Sequence, residues 1–103
     1  MIKTVNEANF DKEVLKKDFV VVDFCADWCG PCRVIGPFLE EISEEHNVEI
    51  VKANIDESPN VAAQYGVMSI PSLLIFKNGE KISATVGVAA KTRIVDWIID
   101  HQH

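Results

Sequence analysis

The sequence predicts an α/β fold in which a mixed β-sheet carries helices on both faces. Residues 19–26 are almost wholly apolar and rich in β-branched side chains, which is typical of a central strand buried on both faces. Apolar residues then recur at a period near 3.6 over residues 34–42, which indicates an amphipathic helix. Further on, Asn78-Gly79 separates two strand-like segments and predicts a hairpin. Alternating strands and helices that end in a hairpin give a mixed sheet.

The other elements follow from strand-like apolar runs and from helical spacing. In chain order they are an edge strand at 2–5, a helix around 10–15, a buried strand at 48–55, a short helix from 58, strands at 72–77 and about 81–86, and a last helix at 91–101. Asn6 is expected to cap the first helix, and Ser58 to cap the short helix with Pro59 in its first turn. The chain therefore has five expected strands and four expected helices.

Length and charge limit the domain count and the kinds of partner. A chain of 103 residues is sufficient for one domain, expected to span 1–103, with its own hydrophobic core. Sixteen acidic residues against 10 basic residues give a net charge of −6, whereas nucleic-acid binders usually present a basic face. We therefore expect no nucleic-acid partner.

The N-terminal part of the sequence has no long apolar segment. Its longest apolar run, Phe19–Val22, ends at Asp23, so it is too short to cross a bilayer or to form the core of a signal peptide. We therefore expect a cytoplasmic protein with no membrane partner.

The three cysteines of the chain, Cys25, Cys29 and Cys32, lie within eight positions. A structural disulfide framework would distribute cysteines along the chain, so this cluster indicates redox chemistry or metal binding. Cys29 and Cys32 fall within one turn at the start of the long helix, close enough to bond reversibly. At the helix N-terminus, unpaired N–H groups favour the thiolate of Cys29, which is the attacking species in disulfide exchange. Cys29 is therefore expected to be exposed, and Cys32, one turn deeper, to be the resolving thiol.

Half of a zinc site is the alternative interpretation of this Cys-x-x-Cys pair. Zinc takes about four ligands, usually from a second such pair. Only Cys25 and three histidines remain, and two of these, His101 and His103, lie at the end of the chain. The sequence therefore favours redox chemistry over metal binding.

Five motifs in order resemble the thioredoxin family over nearly the whole chain. They are Val22-Asp23-Phe24, Trp28-Cys29-Gly30-Pro31-Cys32, Asn54-Ile55-Asp56, Ile70-Pro71-Ser72 and Phe76-Lys77-Asn78-Gly79. The resemblance implies a thioredoxin fold, with a central mixed five-stranded sheet flanked by four helices, and a general protein-disulfide reductase. It also implies that Cys29 attacks and that Cys32 resolves the mixed disulfide, through a reversible Cys29–Cys32 disulfide.

The resemblance further implies supporting residues and partners. Asp23 corresponds to a buried carboxylate that assists deprotonation of the second cysteine, Lys52 to a lysine near it, and Pro71 to a cis-proline facing the site. The implied substrate-binding face, here called the client face, consists of Trp28, Gly30, Pro31, Met68, Ser69, Ile70, Pro71, Gly87 and Val88. The implied partners are disulfide-containing client proteins and a thioredoxin reductase that supplies electrons from NADPH or ferredoxin. The protein itself is expected to be a monomer with no bound cofactor and no metal.

Asp23 and Lys52 each interrupt an otherwise apolar strand. A carboxylate is costly to bury, and desolvation should raise the pKa of Asp23 toward the range useful for proton transfer. The alternatives are that Asp23 lies at a strand end and reaches solvent, and that Lys52 is a surface lysine whose stem alone is covered.

The chain departs from the usual family pattern at four places. Cys25 stands where an aromatic residue is common, Ala90 replaces a polar cap of the last helix, Arg33 replaces a lysine, and Met68-Ser69 alters the contact segment. Free cysteine is among the most buried residue types, so we expect Cys25 to be a small buried side chain rather than a third redox thiol.

Two other functions compete with a reductase. Oxidases and isomerases of related fold generally carry His between the cysteines, where Gly30-Pro31 stands here. A binding module would use the same apolar face as a subunit or folding partner and would not need the thiols.

Overall fold

The computed structural model describes residues 2–102, and the predicted architecture is confirmed over that range. The strands are β1 (Lys3–Val5), β2 (Phe19–Cys25), β3 (Ile50–Asn54), β4 (Ser72–Lys77) and β5 (Glu80–Val86). The helices are α1 (Gly30–His46), α2 (Pro59–Gln64) and α3 (Lys91–Gln102), with a π-helix at Asp11–Leu15.

The five strands form one mixed sheet in the order β1-β3-β2-β4-β5. β3 runs parallel to both β1 and β2, whereas β4 runs antiparallel to both β2 and β5. The apolar strand β2 therefore lies at the centre of the sheet, and the loop that follows it starts from the most protected part of the fold.

Side chains alternate along β2 between two hydrophobic cores. Val20, Val22 and Phe24 face the π-helix and α2, whereas Val21 packs with α1 and α3. Every residue of β2 after Phe19 is buried, as its composition predicts. Asp23 shares the face of Val21, so α1 covers it.

The predicted hairpin between β4 and β5 is present at Asn78-Gly79. Both residues have positive φ, 52° and 84°, as a tight two-residue hairpin turn requires. A Cβ on Gly79 would lie 2.8 Å from the carbonyl oxygen of Leu15, so only glycine fits this turn without a shift of the backbone.

Helix starts and lengths differ in detail from the sequence prediction. The helix around 10–15 is a π-helix, because Lys16 N–H reaches back five residues to the Asp11 carbonyl. Asn6 Oδ1 accepts hydrogen bonds from the N–H groups of Ala8 and Asn9, at 2.9 and 3.2 Å, so Asn6 caps the turn at 7–9. The N-cap residue of the π-helix itself is Phe10, so the predicted cap by Asn6 needs correction.

Two further predictions on local structure need correction. Ser58 stands at the start of α2, but its buried hydroxyl has no hydrogen-bond partner among residues 2–102. The Glu7 carboxylate accepts the Asn60 N–H at 3.0 Å and takes the capping role instead. The strand predicted at 48–55 is shorter, since its pairing with β2 runs from Ile50 to Asn54.

Candidate active site

Cys29 is the N-cap residue of α1, and it forms a disulfide with Cys32 one turn further on. Their Cα atoms lie 5.3 Å apart. The Cys32 N–H donates a hydrogen bond to Cys29 Sγ over 3.2 Å. The sulfur of Cys29 therefore takes the place of the oxygen acceptor usual at a helix N-cap, and the helix dipole favours negative charge there.

Both cysteines of the disulfide are buried, contrary to the expectation that Cys29 is exposed and Cys32 deeper. Cys29 is 4% exposed and Cys32 is 8% exposed. The cause is a small apolar cluster in which Ile55 and Ile70 pack against the three cysteines and Ala26. Cys29 and Cys32 therefore expose little of their surface to solvent.

Asp23 is buried and only 4% exposed, so the alternative of a solvated strand-end residue is wrong. Its Oδ1 atom is buried and has no hydrogen-bond partner within the described part of the chain. Burial raises the pKa of the Asp23 carboxyl to about 6, and the positive charge of Lys52 opposes this rise. The carboxyl thus titrates near neutral pH, as the sequence predicts.

Lys52 lies directly across from Asp23 in the parallel pairing of β2 and β3. Its side chain is exposed, which fits the surface-lysine interpretation. Its charge still acts on Asp23, as the opposing effect on the carboxyl pKa indicates. Lys52 is therefore an electrostatic neighbour of the site.

A cavity of about 580 Å³ lies between α1 and strands β1, β2 and β3. Asp23, Cys25 and Cys32 all line it, so Asp23 and Cys25 lie on the same side of the sheet, as residues two apart in a strand do. The other lining residues are Ile2, Thr4, Ala26, Asp27, Arg33, Gly36, Pro37, Glu40 and Lys52.

Cys25 is a free, buried thiol at the end of β2. Its Sγ lies 3.8 Å from the Ala53 carbonyl oxygen, within reach of a weak S–H hydrogen bond. Burial, followed by the negative charge of Asp23, raises the pKa of this thiol to about 12. Cys25 therefore stays protonated near neutral pH and is a poor nucleophile.

The client face is only partly exposed. Trp28 and Met68 are 66% and 95% exposed, and Val88 is also exposed, which is unusual for side chains of this size. Ile70 and Gly87 are half-buried and Pro71 is buried, so these three form the floor rather than the rim. The Ile70–Pro71 peptide bond is cis, and Gly87 N–H donates to the Pro71 carbonyl at 2.8 Å.

A polar network that the sequence reasoning missed holds the loop before Cys29. Asn54 Nδ2 donates to Asp27 Oδ1 at 3.4 Å, and Asn54 Oδ1 accepts the Asp56 N–H at 2.8 Å. Asp56 Oδ2 in turn accepts the indole N–H of Trp28 at 2.9 Å. The sequence offered one signal for this network, an Asn at the end of an apolar strand. If such a residue is buried, its side-chain amide needs hydrogen-bond partners.

The described residues contain neither a cluster of metal ligands nor a membrane-spanning helix. Within residues 2–102, no group of three or more His, Cys, Asp or Glu side chains is arranged to hold a metal ion. No helix in the same range is both long and apolar enough to cross a bilayer.

The fold and the site define a protein of the dithiol–disulfide exchange class. The thioredoxin family model matches residues 1–100. Thioredoxin of Rickettsia felis is 46% identical over 101 residues, covering 95% of this chain and 96% of the relative. Thioredoxin 1 of Synechococcus elongatus is 45% identical over 100 residues, covering 94% of each chain.

A solved structure gives the same result. A mutant thioredoxin from Halobacterium salinarum NRC-1 superposes with a TM-score of 0.90 at 31% sequence identity, over 98% of this chain and 90% of that one. The chain belongs to the thioredoxin family and is a protein-disulfide oxidoreductase.

Proposed function

We propose that the protein reduces client disulfides with Cys29 as the attacking nucleophile and Cys32 as the resolving thiol. The Cys29 thiolate attacks one sulfur of the client disulfide, forms a mixed disulfide and releases the other client sulfur as a thiolate. The Cys32 thiolate then attacks Cys29 Sγ, which forms the Cys29–Cys32 bond and releases the second client thiolate. Two electrons pass from the dithiol to the client. The N-cap position of Cys29 supports this assignment.

Asp23 is proposed to take the proton from Cys32 before Cys32 attacks. A carboxylate with a pKa of about 6 holds and releases a proton near neutral pH, which suits a general base. Asp23 and Cys32 line the same cavity, which supports proton transfer between them. Lys52 is proposed to keep that pKa from rising further, through the charge that it places opposite Asp23.

Client proteins are proposed to bind over the opening above the disulfide. The exposed apolar rim at Trp28, Met68 and Val88 is the expected contact area for an apolar stretch beside the client cysteine. Pro71 and Gly87 form the backbone floor beneath it. Such a surface gives modest affinity for many sequences, as a general reductase requires.

Electrons are proposed to come from a thioredoxin reductase that draws on NADPH or ferredoxin, since the family carries no bound cofactor of its own. A reducing compartment such as the cytoplasm suits a dithiol donor, because thiols there are kept reduced.

We propose that residues 1–103 act as a monomer without nucleic-acid or membrane partners. The acidic net charge of −6 supports the absence of a nucleic-acid partner.

The observation that carries the proposal is the Cys29–Cys32 disulfide at the N-terminus of α1. Reduction of insulin in the presence of dithiothreitol tests it. The wild-type protein should accelerate insulin precipitation, and the variant with both Cys29→Ser and Cys32→Ser should not. If the double variant fails to reduce insulin but still replaces the wild-type protein in cells that lack it, the protein acts as a binding module instead.

A further inference from the structure

Strand β5 lies at one edge of the sheet, and within residues 2–102 it pairs only with β4. Gly87 N–H donates to the Pro71 carbonyl, so these two residues form a hydrogen-bonded pair at the start of the β4–β5 ladder. Along antiparallel strands, such pairs alternate with pairs whose backbone groups point away from each other. Val86 and Ala84 are in pairs of the second kind. Their N–H and C=O groups therefore point to the free edge.

The side chains of the same residues form an apolar stripe on one face of β5. Ala84 is exposed, Val86 is 63% exposed, and Ile82 at the far end is 40% exposed. We call these three residues the edge stripe. The other face of β5 lies against α3, where the indole N–H of Trp97 donates to Ser83 Oγ at 2.9 Å. One face of the edge strand is thus covered, while the other combines exposed apolar side chains with free backbone groups.

The edge stripe continues along the chain into the client face. Val86 is followed directly by Gly87 and Val88, which belong to that face. Gly87 is hydrogen-bonded to Pro71, and the preceding Ile70 packs against the disulfide cysteines. A strand rises about 3.3 Å per residue, so the edge stripe extends roughly 13 Å from Val86. A client chain that leaves the sulfurs on the Val88 side therefore meets the free edge next.

Only the far end of β5 is protected against pairing with another strand. The β4–β5 ladder shifts register between Ile75 and Phe76, and the charged Lys81 lies opposite Phe76. Bulges and lysines are common means by which edge strands avoid new partners. The stretch from Ser83 to Val86 contains neither a charged residue nor a proline. The unprotected length of the edge is therefore the part beside the client face.

We propose that the free edge of β5 binds an extended segment of the client, adjacent in sequence to its reactive cysteine, as a sixth strand of the sheet. The outward N–H and C=O groups of Ala84 and Val86 pair with the client backbone, and the edge stripe contacts its apolar side chains. The inference deepens the proposed function and rests on it, since it requires a client disulfide over Cys29. It assigns a substrate class, namely disulfides whose flanking chain is extended and rich in β-branched residues.

A second copy of this chain fits the edge less well than a client segment does. Two β5 strands paired antiparallel about Ala84 would place Glu80 of one chain opposite Val88 of the other, and so a carboxylate beside an apolar side chain. The two chains would also each bring a net charge of −6 to the contact. An uncharged client segment avoids both costs.

Disulfide-linked peptide dimers test the proposal with the full-length protein. The short peptide is Gly-Cys-Gly. The long peptide has about eight alternating Val and Thr residues on each side of the cysteine, which is ~26 Å of extended chain per side, and a terminal Lys pair for solubility. Two further long peptides carry backbone N-methyl groups at odd or at even positions counted from the cysteine. Added strands donate N–H groups from alternate residues only, so the two methylated peptides should differ.

Two matched pairs of variants test the edge from the side of the protein. Ala84→Pro removes an outward N–H and leaves the ladder to β4 in place, because edge strands accept proline where the N–H faces solvent. Ala84→Val keeps that N–H and is its control. Ile82→Gln removes an apolar side chain of the edge stripe. Ile99→Gln is its control, since Ile99 on α3 is 38% exposed, much like Ile82.

With the long peptide, kcat/KM should fall about fivefold in Ala84→Pro relative to Ala84→Val, the effect of roughly one net hydrogen bond. It should fall about threefold in Ile82→Gln relative to Ile99→Gln, as for one cross-strand side-chain pair. Rates with the short peptide should agree within about twofold in each pair. Methylation in one phase should remove the advantage of the long peptide over the short one, and methylation in the other phase should not.

Equal rates within the Ala84 pair on the long peptide, or equal loss in both methylation phases, would overturn edge pairing and leave the reductase function intact. If Ala84→Pro does not fold, as circular dichroism would show, the methylated peptides and the Ile82 pair decide. A wild-type protein that fails on the short peptide as well would contradict the proposed function itself. A wild-type dimer in sedimentation equilibrium that Ala84→Pro dissociates would assign the edge to a second copy and overturn the client segment.

Discussion

Asp23 and Lys52 face each other across two parallel strands, yet the carboxyl is buried and the amine lies at the surface. The lysine charge is therefore screened by water and offsets only part of the desolvation cost of the aspartate. The outcome is a carboxyl pKa of about 6 instead of 3.8. Because Lys52 offsets part of this desolvation cost, the central strand tolerates Asp23 although the buried carboxylate makes the fold less stable.

Replacing Asp23 with Asn should stabilise the protein at neutral pH and slow its turnover. The pKa of Asp23 is higher in the folded state, so folding is favoured while the group is protonated and loses stability as the pH rises from about 4 to about 6. At about 1.4 kcal/mol per pKa unit, the loss in the wild type is about 3 kcal/mol at pH 7. Urea denaturation at pH 4 and pH 7 measures it.

In Asp23→Asn this fall in stability between pH 4 and pH 6 should disappear, and stopped-flow reduction of insulin should be slower. The reverse result, a clear loss of stability at pH 7 with an unchanged rate, would mean that Asp23 makes a favourable structural pair instead.

Cys29→Ser should abolish client reduction, whereas Cys32→Ser should still attack and accumulate mixed disulfides. The reason is that Cys29 is at the helix N-cap, where its Sγ accepts the Cys32 N–H at 3.2 Å and a thiolate is favoured. Mass spectrometry of each variant after mixing with insulin measures the trapped species. Trapping by Cys29→Ser, and not by Cys32→Ser, would reverse the two roles.

Cys25→Ala should retain reductase activity and change the free energy of unfolding by about 1 kcal/mol through altered packing. Burial raises the pKa of this thiol to about 12, so it forms almost no thiolate. Peptide mapping after peroxide treatment of the wild type should find only the Cys29–Cys32 bond. A substantial Cys25–Cys29 or Cys25–Cys32 species would make Cys25 a regulatory thiol.

Met68→Glu should raise KM for protein clients and leave the rate with cystamine unchanged. Within residues 2–102, Met68 is the most exposed of the large apolar side chains, and a carboxylate there would lose water on client binding. The expected fall in kcat/KM for insulin is about tenfold, which corresponds to about 1.4 kcal/mol of lost binding free energy. Lys12→Gln, on the π-helix, lowers the net charge by the same one unit away from the client face. Equal effects of both changes would mean that overall charge, not the client face, is responsible.

Much of the fold was predictable because its signals are local. The apolar run that became β2, the helical spacing of α1 and the Asn78-Gly79 turn each specify an element by themselves. Asp23 was predictable as a buried acid because it lies inside such a run. The Glu7 cap on α2 was not predictable, since it joins residues 53 positions apart in the sequence.

The details of the site depended on how separate elements pack. The burial of Cys29 depends on Ile55 and Ile70, which come from two distant loops. The cavity is lined by residues of separate elements, among them Cys25 and Gly36, and no spacing rule relates a strand end to the middle of a helix. The position of Asn54 at the end of an apolar strand was visible in the sequence, but its partners Asp27 and Asp56 follow only from the fold.

The central position of β2 also bears on how the redox loop behaves over time. Strands at the middle of a sheet open last in native-state hydrogen exchange, whereas edges fray first. The loop from Ala26 to Cys29, here called the redox loop, continues directly from this strand, which is hydrogen-bonded on both sides. Partial opening at β1 or β5 therefore leaves the redox loop anchored, so the dithiol can meet many different partners with one fixed geometry and little entropy to lose on each encounter.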